Sequence, residues 1–155
     1  MYKDHNIFIF DYPFDLDLLY KNMIQFESKF KIYNEEWLTL ESWKIARGFQ
    51  FDYSDKLMEI FNIKAKPRFY IQEANSQLPM HKDVGTLCSI NILLNKTKQA
   101  PVIFDDGNEY IYNSCLLNTQ NKHTVATTDT DRLLFKLSIM EEDFESVTKK
   151  IKKVI

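Results

Sequence analysis

The chain has 155 residues, of which 45% are hydrophobic and 14% aromatic, and its formal net charge is −2. This length and composition predict one globular domain that buries roughly 70% of the surface of the unfolded chain. The charge excludes the strong cationic field that nonspecific binding to nucleic acid usually needs, so nucleic acid is not the expected partner.

The sequence also indicates a compartment. Cys88 and Cys115 are too few for a disulfide framework, and neither a signal peptide nor a long apolar span is present. We therefore expect a protein of the reducing cytoplasm that makes no membrane contact. No repeat, low-complexity tract or flexible linker divides the chain, which favours a single domain over residues 1–155.

The first 66 residues are predicted to be a helical support region. Asn6–Phe10 is a short apolar run that predicts a strand at the edge of a sheet. Asp15 is a typical N-cap, and apolar residues recur at three- and four-residue spacing after it, from Leu18 to Phe26. We expect this first helix to pack on the core.

A second helix is predicted after Ser54–Asp55, which can cap it, and before Lys66–Pro67, which ends it. The stretch between the two helices, Lys31–Phe51, includes Trp37 and Trp43 but shows no clear period. We assign this stretch to no element.

Between residues 67 and 140 the pattern changes to the period of two that is typical of strands. Asp105–Asn108 contains a glycine and separates two short apolar runs, which predicts a hairpin. About eight short strands predict a mainly β fold with flanking helices: a double-stranded β-helix, or jelly roll, of cupin-like type, with the N-terminal helices packed on one sheet. The predicted strands are Arg68–Gln72, Leu78–Asp83, Thr86–Leu94, Pro101–Phe104, Glu109–Tyr112, Leu116–Leu117, Lys122–Thr127 and Arg132–Ile139.

The last predicted strand has two unlike faces. Alternate side chains of a strand point to opposite sides, so Arg132, Leu134 and Lys136 share one face. The other face is apolar throughout and should pack against the helices, which directs Arg132 into the barrel.

A closing helix is predicted over residues 141–155. Its acidic residues come first and its lysines last, as the helix dipole favours. We interpret its lysines as a solvated face rather than a phosphate site.

Three residues of the β region suit a metal ion. On the predicted strand Leu78–Asp83, His81 and Asp83 point to the same side, and His123 can join them from a separate strand. Two imidazoles and one carboxylate, with coordination positions left open, suit a non-haem ferrous ion. The competing interpretation is a pair of hydrogen-bonded core histidines and an aspartate in the turn before Gly85.

Arg132 is the candidate for binding an anion. It follows a polar, turn-like run and opens an apolar segment, so we expect it to begin the strand next to the one that carries His123. A guanidinium there would suit a carboxylate. The alternative is a surface residue at the start of a strand.

His81-x-Asp83, the distal His123 and the basic Arg132 occur in the order of a known motif. They resemble the 2-oxoglutarate- and iron(II)-dependent oxygenase superfamily, over roughly the second half of the chain. The resemblance implies that His81, Asp83 and His123 bind Fe(II) and that Arg132 binds the distal carboxylate of 2-oxoglutarate. It also implies a dioxygenase that consumes 2-oxoglutarate and O₂, releases succinate and CO₂, and hydroxylates an unactivated C–H bond.

The chain departs from the family pattern at one position. Many relatives have Ser or Thr two residues after the basic residue to share the distal carboxylate, where this chain has Leu134. Tyr70, on the strand before His81, is the first candidate for the missing hydroxyl, because several relatives use a tyrosine from that strand. Asn91, on the following strand, is the second. An ordinary strand aromatic is an equally good interpretation of Tyr70.

Two other classes of protein can share this fold: a cupin-like binding module, with a structural metal or none, and a viral structural module. Within the enzyme class, the substrate stays open among a protein or peptide residue, an amino acid or other small metabolite, and a nucleobase. The small size of the chain leaves little insert to enclose a metabolite. That favours a protein or peptide lying across an open mouth.

Overall fold

The computed structural model describes residues 1–35, 38–95 and 100–155. This part of the chain forms three α-helices and eleven strands, numbered here in chain order. The helices are α1 (Leu16–Gln25), α2 (Asp52–Phe61) and α3 (Phe144–Lys152). The strands are β1 (Tyr2–Lys3), β2 (Ile7–Ile9), β3 (Phe30–Glu35), β4 (Leu38–Ala46), β5 (Lys66–Gln72), β6 (Cys88–Leu93), β7 (Val102–Phe104), β8 (Glu109–Tyr110), β9 (Ser114–Leu117), β10 (His123–Val125) and β11 (Arg132–Ile139).

The strands form two antiparallel sheets. The larger has eight strands in the order β1-β2-β9-β6-β11-β5-β4-β3, and the smaller has three in the order β10-β7-β8. Strand β11 therefore lies inside the larger sheet, between β5 and β6. The arrangement confirms the predicted mainly β, jelly-roll class with flanking helices.

The apolar core is divided between the two sides of the larger sheet. The helix-side core joins the sheet to all three helices, with Phe135 of β11 among the side chains of Leu19, Leu57 and Ile151. The inter-sheet core lies on the other side, where Leu134 meets residues of the smaller sheet. Adjacent residues of β11 thus enter different cores, which confirms the two predicted faces and the packing of the N-terminal helices on one sheet.

Two helices begin at aspartate caps. The Leu18 amide donates to Asp15 Oδ1 at 3.0 Å, and the Ser146 amide donates to Asp143 Oδ1 at 2.8 Å. A carboxylate at this position also interacts favourably with the positive, N-terminal end of the helix dipole. The predicted cap of α1 is confirmed, and α3 lies within the predicted closing helix. None of the helices in the described ranges is long and apolar enough to span a membrane.

The predicted ends of the second helix were wrong. Helix α2 begins at Asp52, two residues before the predicted cap. Ser54 lies inside the first turn, where its hydroxyl donates to the Phe51 carbonyl at 2.8 Å. It ends at Phe61, well before the proline, because Asn62 adopts a left-handed conformation with φ of 54°.

The first 66 residues are not a purely helical support region. They supply β1 to β4, and β2 pairs on both sides, so it is not the edge strand that was predicted. The unassigned stretch Lys31–Phe51 contains most of the β3–β4 hairpin. The register shifts between Ile32 and Tyr33, which interrupts the alternation by which a strand is identified. Trp37 lies outside the described residues.

The predicted strand Leu78–Asp83 is absent from the described sheets. His81 and His123 exchange two backbone hydrogen bonds of 2.9 Å, which form an isolated bridge. Pro79 has no amide hydrogen for a ladder, and Gly85 has φ of 76°, so regular pairing does not extend from the bridge.

Arg132 does not begin the strand next to the one that carries His123. Strand β11 pairs with β5 and β6, whereas β10 pairs with β7 in the smaller sheet. The two residues therefore approach the interior from opposite sheets, and the jelly roll rather than a shared strand pair places them around one cavity.

Candidate metal centre and carboxylate pocket

Three metal-ligating atoms converge at one end of a cavity of about 250 Å³ between the sheets. Asp83 Oδ1 lies 3.2 Å from His81 Nε2 and 3.3 Å from His123 Nε2. Ligands at right angles around an ion lie about 3 Å apart when each bond is about 2.1 Å long. The spacing fits neighbouring positions around one ion, and the structure brings together the three residues predicted as ligands.

Hydrogen bonds determine which nitrogen of each imidazole faces the carboxylate. His81 Nδ1 lies 2.7 Å from the Pro79 carbonyl, and His123 Nδ1 lies 2.8 Å from the Asn121 carbonyl. A carbonyl only accepts, so each Nδ1 carries a hydrogen, and Nε2 is the nitrogen of each ring that faces Asp83. An imidazole whose Nδ1 carries the hydrogen can bind a metal ion through Nε2, and a carboxylate can bind it through one oxygen. The donor set therefore suits a metal ion.

Lys136 contacts the second oxygen of the carboxylate. Its Nζ lies 3.2 Å from Asp83 Oδ2, and both side chains are largely buried. Burial alone would raise the pKa of Asp83, but the charge of Lys136, together with the contacts to His123 and His81, outweighs it and holds the pKa well below its usual value. Asp83 is therefore ionised, with Oδ1 facing the histidines and Oδ2 facing Lys136.

A buried guanidinium lines the same cavity four residues before Lys136 on β11, about 13 Å along the strand from the residue that contacts Asp83, and this part is the other end of the cavity. Arg132 is 6% exposed, and its Nη2 donates to the Tyr112 hydroxyl at 2.7 Å. Its Nε has no hydrogen-bond partner, and no carboxylate within the described ranges pairs with it. A buried charge without a counter-ion is costly. This end of the cavity is therefore complementary to a carboxylate that a ligand supplies.

Tyr112 completes the guanidinium end. Its hydroxyl accepts hydrogen bonds from Arg132 and, at 3.3 Å, from Asn91 Nδ2. Burial raises the pKa of Tyr112 in spite of the nearby Arg132, so the phenol stays protonated at neutral pH. Cys115 lies within reach of this hydroxyl, and a ligand carboxylate beside the guanidinium would be a stronger acceptor for its hydrogen than the sulfur.

The two predicted candidates for the missing hydroxyl lie in different parts of the cavity wall. Tyr70 lies near the metal end, where the centre of its ring is 5.0 Å from Lys136 Nζ. Asn91 is buried, lines the cavity and donates to the Tyr112 hydroxyl rather than contacting the guanidinium. Leu134 is paired with Tyr70 across β11 and β5 and is buried in the inter-sheet core. The roles of Tyr70 and Asn91 stay predictions.

Lys136 and Tyr112 were not predicted as site residues. Lys136 shares the inward face of β11 with Arg132, and a lysine that points into a barrel needs a counter-ion, so the alternation of the strand was the available signal. Tyr112 follows β8 and belongs to a distant part of the chain. No local pattern connects it to Arg132.

No family model matches the sequence, and no protein of curated function matches it. Solved structures do resemble it. A prolyl-4-hydroxylase of Pseudomonas putida has a TM-score of 0.65 at 14% identity, over 87% of this chain and 93% of its own. A prolyl hydroxylase of Trichoplax adhaerens, in complex with a hypoxia inducible factor peptide fragment, has a TM-score of 0.67 at 13% identity, over 93% and 86%.

A third solved structure is a viral collagen prolyl hydroxylase from Paramecium bursaria Chlorella virus-1, in a 2-oxoglutarate complex. Its TM-score is 0.58 at 10% identity, over 86% of this chain and 95% of its own. Likenesses at 10–14% identity show the fold and not the activity. The chain has the jelly-roll fold that these hydroxylases share.

Proposed function

We propose that the protein is an Fe(II)- and 2-oxoglutarate-dependent dioxygenase that uses O₂ to hydroxylate an unactivated C–H bond, with release of succinate and CO₂. The observation that carries this proposal is a cavity with two unlike ends. A metal-ligating triad lies at one end, and at the other lies Arg132, buried without a carboxylate partner among the described residues. A binding module with a structural metal would need only the first end.

At the metal end, His81 and His123 bind Fe(II) through Nε2, and Asp83 binds it through Oδ1. A structural zinc site is closed by four protein ligands, whereas three ligands leave positions open for other molecules. When bound, the ferrous ion supplies redox chemistry that side chains cannot supply. Lys136 keeps Asp83 ionised and orients its free oxygen towards the histidines.

At the other end, Arg132 binds the distal carboxylate of 2-oxoglutarate. The ligand would provide an acceptor for the unpartnered Nε of Arg132 and for the hydrogen of the Tyr112 hydroxyl. A charge-assisted pair in such a buried place is strong. Tyr112 is thus our main candidate for the hydroxyl that Leu134 lacks, and Asn91 orients it. Tyr70, which the sequence predicted for this role, is the second candidate.

We propose a protein or peptide residue as the substrate, with a small metabolite as the alternative. Val84, directly after the ligand Asp83, is 88% exposed and lines the cavity, so the metal end opens to the surface. The Trichoplax adhaerens hydroxylase, in complex with a peptide fragment, supports the first choice because it has the same fold.

The test is formation of succinate from 2-oxoglutarate in air with added Fe(II). The parent protein should form succinate, and Asp83→Ala should not, because the triad loses its only carboxylate. Asp129→Ala, which removes an exposed aspartate outside the cavity, is the matched control and should act like the parent. Equal succinate formation by Asp83→Ala and the parent would refute the proposed function.

A further inference from the structure

A row of cationic side chains crosses the cavity face of the larger sheet. Lys136 of β11 lies directly opposite Arg68 of β5, and Asn91 of β6 is its partner on the other side. Lys136, Arg68 and Asn91 all line the cavity. Like charges directly opposite one another on neighbouring strands destabilise a sheet. The sheet therefore tolerates an unfavourable pair beside the metal end.

The two cations of this pair differ in what surrounds them. Lys136 is buried and has Asp83 as its counter-ion. Arg68 is half-buried, and its guanidinium makes no hydrogen bond or ion pair with any part of the chain that the structure describes. Its repulsion by Lys136 is thus not offset by a partner of its own. An anion from outside the chain would offset it.

Further basic residues extend the row towards the mouth of the cavity. Ala46 of β4 pairs with Phe69, so Arg47, the next residue, lies beside Arg68. Lys82, between the two ligands His81 and Asp83, is exposed at the same mouth. Among the described residues that line the cavity, five are cationic and only Asp83 is acidic, although the whole chain has a net charge of −2. The positive charge is therefore concentrated at the site.

We infer that the substrate carries a carboxylate close to the carbon that is oxidised, and that Arg68, assisted by Arg47, binds this carboxylate. The inference rests on the proposed function and specifies its substrate as an acidic peptide. Lys136 contacts the ligand Asp83, and Arg68 lies opposite Lys136 on the neighbouring strand, about 4.8 Å away, so Arg68 can hold an anion within roughly 10 Å of Asp83. An extended peptide advances about 3.3 Å per residue, which places the Asp or Glu within about three residues of the oxidised one.

Binding of labelled peptide pools tests this inference. Two pools of eight-residue peptides, alike except that one has Glu at the positions where the other has Gln, are titrated with protein loaded with Mn(II) and 2-oxoglutarate. The Glu pool should bind the parent more tightly than the Gln pool. Arg68→Gln should weaken binding of the Glu pool by roughly 10-fold, because it loses a charged hydrogen bond.

Lys66→Gln is the matched control, because Lys66 is an exposed cation on the same strand and lies outside the cavity. It should bind the Glu pool like the parent. Arg68→Gln should also melt no lower than the parent, since it removes a repulsion from Lys136, whereas a purely structural role would lower the melting temperature. If the parent binds N-acetylglutamate and Arg68→Gln does not, the result would likewise support the carboxylate site and would assign it to a small acid.

Three results would overturn the inference: equal binding of the two pools, equal weakening by Arg68→Gln and Lys66→Gln, or tighter binding of a ten-nucleotide thymidine strand than of the Glu pool. Binding of 2-oxoglutarate to the same Mn(II)-loaded samples separates this inference from the proposed function. If the parent fails to bind 2-oxoglutarate, the proposed function fails. If 2-oxoglutarate binds and the pools do not differ, only the acidic substrate is refuted.

Discussion

The two faces of β11 obey different physical rules. On the helix side, Phe135, Leu137 and Ile139 are fully buried among apolar side chains of the helix-side core. On the cavity side, Arg132 and Lys136 are also buried, but they carry charge. The helix side is satisfied by packing alone, since apolar burial needs no specific partner. The cavity side needs counter-ions, because burying a charge is costly unless it is paired.

Within the described residues, a counter-ion is present for only one of these two charges. Lys136 has Asp83, and that pairing also prepares Asp83 as a ligand. Arg132 has a tyrosine hydroxyl and an unpartnered Nε. A buried charge without a counter-ion lowers the stability of the folded protein. Such a cost is typical of a binding site. Changes on the helix side should therefore alter stability, and changes on the cavity side should alter ligand binding.

The largest effect is expected at Asp83. Asp83→Ala should weaken Mn(II) binding by at least roughly 100-fold, because metal affinity depends on each of the three ligands. Calorimetric titration of the metal measures this, and His81→Ala or His123→Ala should behave alike. Asp83→Asn, which keeps the shape of the side chain, is the control for lost folding. If Asp83→Asn is folded and binds Mn(II) like the parent, the triad is not the metal centre.

Breaking the buried pair from its other side should be nearly as severe. Lys136→Met leaves Asp83 buried without its counter-ion, which costs about 3–5 kcal/mol of unfolding free energy. Urea denaturation of the metal-free protein measures the loss. If the stability is unchanged, Lys136 and Asp83 do not form a pair in solution.

The same pair predicts acid sensitivity. The pKa of Asp83 is well below its usual value in the folded protein, so below about pH 4 the unfolded chain binds the additional proton. The contribution of Asp83 to stability is thus complete above about pH 5 and declines as the pH falls through 4. Lys136→Met should raise the pKa of Asp83 and flatten this decline. A parent protein equally stable at pH 3 and pH 6 would contradict the assignment.

A change on the helix side should separate stability from binding. Leu137 is the neighbour of Lys136 but points into the helix-side core. Leu137→Ala should lower the unfolding free energy by about 3 kcal/mol, because it leaves a cavity in close packing. The affinity of the folded protein for Mn(II) should stay within a factor of about two, since the ligands are not touched. A loss of metal affinity as large as that of Asp83→Ala would show that the two faces are not independent.

The smallest effect distinguishes the two tyrosines. Tyr112→Phe should raise the dissociation constant for 2-oxoglutarate by about 10-fold, because it removes a hydroxyl beside the guanidinium and keeps the ring. Tyr70→Phe should change it less, because the Tyr70 ring contacts Lys136 at the metal end. The opposite order, with Tyr70→Phe the stronger, would restore Tyr70 as the source of the missing hydroxyl.

Local patterns predicted what depends on neighbours along the chain. The bounds of β11, the Asp15 cap and the hairpin at Asp105–Asn108 follow from alternation, capping and turn chemistry, and the structure has all three. The ligand residues also came together, although their strand did not form. A short extended segment and one bridge to His123 were enough to direct them to one point.

Contacts between distant segments were not predictable in the same way. The irregular pairing of β4, where Glu41–Trp43 have no partner on β3, concealed the β3–β4 hairpin, because it interrupts the period of two. The pairs Lys136–Asp83 and Arg132–Tyr112 join residues that only the closed jelly roll brings together. In each pair, the second residue contacts a buried cation of β11. The faces of a strand could therefore be predicted, but the partners of its charges could not.

Calorimetric titration of 2-oxoglutarate tests the two-ended cavity most directly. The Mn(II)-loaded parent should bind it tightly, and the metal-free parent should bind it weakly. Arg132→Met, loaded with Mn(II), should show a dissociation constant raised by roughly 30-fold or more with unchanged affinity for the metal, because one partner of a buried charged pair is lost. If 2-oxoglutarate binds equally well without metal, or equally well to Arg132→Met, the cavity does not hold this co-substrate between the triad and the guanidinium.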